Sequence, residues 1–254
     1  MKIKGVRVLC LDIGNTGTTY GLFSGSKWVQ VGSCQFKGVP AVIHKLIRNK
    51  IGVPNPYILI SSVVPKYTHI IRRKASRLVG AGRVLVVGSQ LKIKISHNYR
   101  NIHKLGNDRL LNVYGGVKLY KSPFLIYDYG TAVTCDFVSR KGKFEGGLII
   151  PGPGIGLKAL WNETALLPKL SFPREAPFLG RDTKGGMKAG VLRGYAAMTD
   201  GLAAAFKRRY GKRLQVIATG GYSTSIARYS QAIDVVDPLL TLKALLLAFW
   251  ASLV

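Results

Sequence analysis

Three short stretches of this chain carry residue types that can do chemistry on a phosphate. Asp12-x-Gly14-x-Thr16 ends the apolar run in "LCLDIGNTGTTYGLF" (9–23), and Asp128-x-Gly130-Thr131 ends another in "FLIYDYGTAVTCDFV" (124–138). The third, "LGNDRLLN" (105–112), sets Asp108 beside Arg109. A tight turn of Gly, Asn and Thr at a strand end presents backbone N–H groups and hydroxyls to an oxyanion, forming a donor nest. A carboxylate in that position repels phosphate, so its natural partner is the Mg²⁺ that travels with nucleotide phosphates, directly or through water. One isolated copy reads first as an ordinary Asx-type turn. A second copy favours phosphate binding, because two such turns facing each other clamp a polyphosphate. Asp108 at a helix start reads, taken alone, as an N-cap whose charge the helix dipole favours.

The charge balance gives these carboxylates weight. Among 254 residues, 38 Lys and Arg face 11 Asp and Glu, for a net charge of +27. No Asp or Glu occurs between Asp12 and Asp108, while Asp12, Asp108, Asp128 and Asp136 sit in or beside Gly/Thr turns or the Asp-Arg pair. Carboxylates so scarce are not surface filler. The positive excess attracts phosphates, nucleic acid, anionic membrane or acidic metabolites, or forms only a solvated basic surface. The basic stretches "IIRRKASR" (70–77) and "FKRRYGKR" (206–213) read as solvated helix faces. Nucleic acid is expected to bind through charge alone, without sequence preference.

The elements that must position these turns repeat along the chain. Strand-like runs at 6–12, 17–24 and 27–34 are separated by Gly, Ser and Asn, which predicts an antiparallel meander. A helix pattern at 39–50, a strand in "YILISSVVP" (57–65), a basic helix near 66–79, a strand in "RVLVVG" (83–88) and a helix over 106–120 follow. Two strands across 124–138, a third in 142–152, a helix over 184–209, a strand at 214–220 and a last helix at 238–250 repeat the order. The duplication predicts an α/β protein of two similar halves, 1–118 and 119–254, facing one another across a cleft.

Other signatures are weak or missing. There is no Gly-x-x-x-x-Gly-Lys-Ser/Thr loop, "GPGIGL" (152–157) lacks the context of a dinucleotide fingerprint, and His97 and His103 have no metal-ligand spacing. Cys10, Cys34 and Cys135 lack CxxC spacing and read as buried thiols of a reducing compartment. No apolar run reaches the ~18 residues of a membrane span, and the N-terminal run is too short for a signal sequence. A cytoplasmic protein is expected.

Taken together, "DIGNTGTTYGLF" (12–23), "ISSVVP" (60–65), "LGNDR" (105–109), "DYGTAVTCDFV" (128–138), "FEGGLIIPG" (144–152), "GRDT" (180–183), "TGG" (219–221) and "LLTLKALLLAF" (239–249) resemble the type III pantothenate kinases nearly end to end. The resemblance implies two duplicated ribonuclease-H-like, actin-like ATPase domains around a nucleotide cleft. It implies ATP-dependent phosphorylation of pantothenate in coenzyme A biosynthesis, with Mg²⁺ and a monovalent cation, K⁺ or NH₄⁺, in a homodimer. By the same resemblance Asp12, Ile13, Gly14, Asn15, Thr16, Gly17, Thr18 and Thr19 form the first phosphate loop, with Asp12 holding Mg²⁺ through water. Gly130 and Thr131 belong to the second loop, Asp128 holds the monovalent cation, and Thr219, Gly220 and Gly221 lie near the adenosine. Tyr99, Gly106, Asn107, Asp108, Arg109 and Thr183 fall on the pantothenate site, with Asp108 as catalytic base. Asn107 and Thr19 depart from the residues the family often carries there. Two alternatives stand beside this reading: a DNA-associated transcriptional accessory factor of the same fold, and a phosphate-binding module that has lost catalysis.

Overall fold

A computed structural model describes residues 6–48 and 56–253. The chain forms two compact units. The first comprises 1–94, 101–115 and 241–254, and the second comprises 95–100 and 116–240. A cut between 118 and 119 therefore lies close to the main division, which falls between Gly115 and Gly116, but two segments change sides.

The first unit opens with the expected meander: β1 (Arg7–Ile13), β2 (Thr18–Ser24) and β3 (Lys27–Cys34). After α1 (Val39–Arg48) come β4 (Tyr57–Ser62), α2 (Pro65–Val79) and β5 (Val84–Val86). Positions 49 and 50 of the expected first helix lie outside the described residues. Next are α3 (Asn107–Leu119), whose first part belongs to this unit, then β6 (Phe124–Tyr129), β7 (Ala132–Val138) and β8 (Phe144–Pro151) of the second unit. That unit continues with α4 (Pro153–Asn162), α5 (Thr183–Tyr210), β9 (Gln215–Thr219), α6 (Ser223–Ala227) and β10 (Val235–Val236). The last helix, α7 (Leu240–Ser252), returns from Thr241 onward to the first unit.

The two sheets have the same plan. Strand order is β3-β2-β1-β4-β5 in one and β10-β9-β6-β7-β8 in the other, so β1 and β6 are both central strands. Each is antiparallel to the next strand of its meander and parallel to a strand reached through a helix, β4 or β9. The duplication read from the repeated aspartate turns is thus a duplication of topology. In open α/β sheets ligands bind outside the carboxyl ends of the parallel strands, and Asp12 and Asp128 each stand one residue before that end.

Strand alternation decides what each face does. Leu9, Leu11 and Ile13 point to one side of β1, where they join Ile58, Ile60, Val39, Ile43, Ile71 and Ala75 in a buried core with α1 and α2. Val8, Cys10 and Asp12 take the opposite face. α7 belongs to this unit and packs on the sheet, with Leu242 against Gly21 and the Phe249 ring 4.8 Å from that of Tyr57. In the second unit Leu125, Tyr127 and Tyr129 pack beneath Leu192, Ala196 and Ala203 of α5 and Ile226 of α6. Thr199 spends its proton on the Tyr195 carbonyl (2.8 Å), so the buried Tyr129 hydroxyl is the donor in its 2.6 Å bond to Thr199 Oγ1. Phe124 and Ile126 face the other way and crowd Gly116, where a Cβ would lie 2.8 Å from either side chain.

No helix among the described residues is long and apolar enough to cross a membrane.

Candidate active site

In the first unit the site grows from the carboxyl ends of β1, β4 and β5. Asp12 is paired in register with Thr19 on β2 and Ser61 on β4. Beyond it Gly14 N donates to Gly17 O (2.9 Å), closing the turn that leaves Asn15 and Thr16 exposed at its tip. Thr18 is buried at the start of β2, and Thr19 is half-buried beside Asp12. Gly17 lies against the chain, since a Cβ there would meet Cys34 O at 3.2 Å. The Ser61 hydroxyl, in register with Asp12, is buried without a hydrogen-bond partner, and so is that of Thr18, which is in register with Ile13 on the other face of the sheet.

The end of β4 then leads to α3. Val63 N donates to Ile13 O (3.1 Å), which ties the β4 end to the β1 end. The Asn107 amide donates to Ser62 O (3.2 Å) and Val87 O (3.5 Å), so one side chain holds the ends of β4 and β5 to the first turn of α3. The departure from the family's usual residue at 107 therefore has a local task. Asp108 stands in the first turn of α3 and accepts from Arg109 N (2.7 Å). Its Oδ1 folds back over Gly106, where a Cβ would lie 2.4 Å from it, so only glycine leaves room for this carboxylate orientation. Arg109 itself is buried. Asp12 and Asp108 are the only acidic residues of the first unit, and residues 61–63, at and just after the end of β4, bridge their two elements.

The second unit repeats the arrangement with different parts. Asp128 is paired in register with Thr134 on β7 and Thr219 on β9. Gly130 N donates to Ala132 O (3.1 Å) in the turn that exposes Thr131. The backbone after β9 lies directly on the carboxylate: a Cβ at Gly220 would be 2.4 Å from Asp128 Oδ1 and 2.7 Å from Tyr129 N and O. Gly220 also has φ +88°, a left-handed conformation that glycine adopts without strain. Tyr222 N donates to Tyr129 O (3.2 Å) and Ser223 Oγ to Gly220 O (2.7 Å), fixing the Thr219–Gly221 bend against the Asp128 turn.

Gly152 is the residue the sequence did not mark for this site. It caps the N-terminus of α4, donates to Thr131 O (3.0 Å) and packs so closely that a Cβ would be 2.2 Å from that oxygen. The N-terminal end of α4, with Pro153 in its first turn, is thereby held beside Gly130 and Thr131, adding a helix dipole of the sign that attracts anions. The signal was available in "IIPGPG" as Gly then Pro at a strand-to-helix junction.

Two further candidates sit elsewhere on the second unit. Tyr99 lies in the segment 95–100, which pairs with the start of β8, and its half-buried ring stacks on Phe144 at 5.4 Å. The neighbouring Asn98 amide donates to Glu145 (2.5 Å) and holds that carboxyl below its ordinary pKa. Thr183 is exposed as the first residue of α5, which is capped by Asp182 accepting from Gly185 N (2.6 Å). Asp136, by contrast, is buried in mid-strand on β7, away from the turn.

This duplicated pair of mixed five-stranded sheets defines an α/β fold class that solved structures of other proteins share. Solved structures with this fold include a candidate Baf family transcriptional activator from Campylobacter jejuni (TM-score 0.60, 17% identity, covering 96% of this chain and 98% of that one). Another is a candidate 2-dehydro-3-deoxygalactonokinase from Sinorhizobium meliloti (TM-score 0.56, 9% identity, covering 96% and 99%). Sequence narrows the class to a family. The model for type III pantothenate kinase matches residues 8–205, and curated type III pantothenate kinases are similar throughout. That of Geobacillus thermodenitrificans is 33% identical over 250 residues, covering 95% of this chain and 96% of the relative. That of Bacillus cytotoxicus is 32% identical over 255 residues, covering 95% of each. The chain belongs to the type III pantothenate kinase family.

The Gly220 contact is open to a direct test. Gly220→Ala forces a Cβ into Asp128 and the Tyr129 backbone while imposing a strained φ, so unfolding free energy should fall by about 2 kcal/mol or more in urea titration. Gly221→Ala meets open space and should stay within about 0.5 kcal/mol of the parent. Equal effects of the two changes would show that the bend does not rest on the carboxylate.

Proposed function

We propose that this chain is a pantothenate kinase, transferring the γ-phosphoryl group of ATP to the primary hydroxyl of pantothenate, as its family membership implies. The observation that carries the reading is the use of carboxylates. The first unit keeps two, one at the β1 end and one at the α3 start, while the second keeps Asp128 under the Gly220 bend.

Phosphoryl transfer asks for positioning and charge neutralisation more than for covalent chemistry by the enzyme. Asp108 is assigned as base: it takes the proton of the pantothenate hydroxyl as that oxygen attacks the γ-phosphorus and the bond to the β–γ bridging oxygen breaks, releasing ADP. Gly106 leaves the space that lets its carboxylate take this orientation. Arg109, Tyr99 and Thr183 complete the pantothenate site in this assignment, the guanidinium suiting an anionic group. The turns at 12–19 and 130–131 supply N–H and hydroxyl donors to the phosphates, and Thr219–Gly221 lies along the adenosine.

Asp12 is assigned to Mg²⁺ through water. The other ligands of such an ion would be water and phosphate oxygens. The ion supplies neutralisation of charge on the transferring phosphates. Asp128 is assigned to a monovalent cation. Cys10 and Cys135 are buried and Cys34 is half-buried, and none of the three forms a disulfide.

The chain's resemblance to the Campylobacter protein, at 17% identity, carries the fold alone, so the transcriptional reading gains nothing from it. Retained carboxylates at both strand ends speak against a catalytically dead module.

A homodimer is proposed through the second unit. Leu166, Phe178 and Leu179 are 90, 82 and 74% exposed. A shallow apolar cavity of about 610 Å³ lies between α4 and α5, lined by Leu160, Met187, Val191 and Tyr195. Uncovered apolar surface of this extent marks an association site.

Three measurements test these assignments. Asp108→Asn keeps an acceptor for Arg109 N but loses basicity, so turnover should fall by roughly two to four orders of magnitude with ATP affinity and melting temperature near the parent. Unchanged turnover sinks the base assignment, and loss of folding alone returns Asp108 to a structural cap. Rates in potassium or ammonium should exceed those in sodium or Tris, and this preference should vanish in Asp128→Asn; equal rates in all salts remove Asp128 from the cation role. Light scattering at micromolar concentration should give twice the chain mass of 27.7 kDa, and the single mass would contradict the dimer.

A further inference from the structure

The second unit has a basic basin at the end remote from its phosphate turn. Lys121, Arg140, Lys207, Lys212 and Arg213 line a cavity of about 700 Å³ with one carboxylate, Asp234, which accepts from Val216 N (2.8 Å). The cavity borders the starts of β6 and β9, whereas Asp128 and Gly220 lie at their other ends. The length of β6 separates them, about 16 Å at roughly 3.3 Å per residue. This basin is not part of the kinase site.

The helix dipole accounts for only part of it. Lys207 lies in the last turn of α5, where a cation complements the carbonyl end. Lys121 comes from the loop before β6 and Arg140 from the β7–β8 turn, and neither faces that dipole by sequence position. None of the five side chains makes an ion pair or hydrogen bond among the described residues. Five like charges from separate segments repel one another across a shared cavity, a cost that an anionic occupant removes. Their spacing over several segments suits a row of phosphates better than one small anion.

The last turn of α5 adds an aromatic surface. Tyr210, three residues from Lys207 and so on the same helix face, borders the cavity rather than lining it. It is 44% exposed, its ring is braced against Phe137 at 4.3 Å, and the Arg209 guanidinium lies 5.7 Å from its centroid, a contact a stacking base would have to displace. The stretch read from sequence as a plain solvated basic face therefore presents a rigid ring beside its cations. Ring and cations together form the combination that holds single strands without sequence preference. We propose that this basin binds single-stranded nucleic acid, its phosphates among Lys121, Arg140, Lys207, Lys212 and Arg213 and a base on Tyr210.

Fluorescence anisotropy with labelled 20-nucleotide single strands of two unrelated sequences tests the proposal on the full chain. The triple variant Lys207→Glu, Lys212→Glu, Arg213→Glu should bind about a hundredfold more weakly at 0.1 M salt, and the slope of log affinity against log salt should flatten by about 2, at roughly 0.7 per phosphate contact. Pantothenate phosphorylation should be retained, which separates this site from the kinase assignment. Should that variant fail to fold, Lys212→Gln with Arg213→Gln changes only exposed side chains and should lose about 25-fold. The control Arg72→Glu, Arg73→Glu, Lys74→Glu on the exposed face of α2 makes the same change in net charge and should lose no more than about threefold, because distant charges are screened. Equal losses in the basin and α2 triples overturn the proposal in favour of diffuse charge attraction. Displacement of the strand by inorganic polyphosphate at equal phosphate concentration, with Tyr210→Ala binding the strand as tightly as the parent, overturns it in favour of polyphosphate.

Discussion

A carboxylate cannot be taken into the middle of a hydrophobic sheet without a partner, and at the end of a central strand it faces the opening where parallel neighbours stop. That constraint organises both units. Asp12 and Asp128 hold the same position relative to their sheets, each flanked in register by hydroxyl residues: Thr19 and Ser61 in one, Thr134 and Thr219 in the other. One residue further in, Asp12 would enter the Leu9, Leu11 and Ile13 face and Asp128 the Leu125, Tyr127 and Tyr129 face. One residue further out, it would leave the sheet's rigid frame for the turn. The strand supplies precision, and the turn beyond it supplies donors.

Glycine makes the crowding around those carboxylates possible. Gly106 lets Asp108 fold back, Gly220 crosses Asp128, and Gly152 rests on the Gly130–Thr131 carbonyls, each where a Cβ would lie within 2.4 Å of an oxygen. Backbone brought this close can present N–H groups to a ligand without an intervening side chain, which is how glycine-rich loops cradle phosphates. The glycines of the site are therefore spent on approach as much as on turning. Gly106 and Gly152 show the distinction, since neither has positive φ.

Much of this was legible because the sheet strands are short, apolar and punctuated. The six meander strands fell within a few residues of their observed bounds, since Asn, Gly and Ser mark the turns and the apolar runs stop at aspartates. The duplication was legible for the same reason. α4 was not, because "GPGIGL" begins with three residues that read as a loop, while the helix depends on Gly152 docking onto Thr131. Asp136 misled by composition: it stands near a Gly/Thr turn in sequence but three residues into the strand pairing, where alternation buries it. The allegiance of α7 could not be read either, as a helix apolar on all sides can cover either unit until Leu242 meets Gly21 and Phe249 meets Tyr57.

The charge distribution links site and surface. With 38 basic and 11 acidic residues, the chain surrounds a few carboxylates with a positive field, and the first unit places its only two acids where the reaction assignment needs them. Such a field concentrates ATP and pantothenate, both anions, and speeds their capture in a salt-dependent way. It attracts ADP and the phosphorylated product no less, so it raises encounter without by itself favouring turnover. Discrimination between substrate and transition state must then come from short-range geometry that the field cannot supply. In the proposed assignment that geometry is a carboxylate held over Gly106, strand ends tied by Asn107, and a Gly220 bend resting on Asp128.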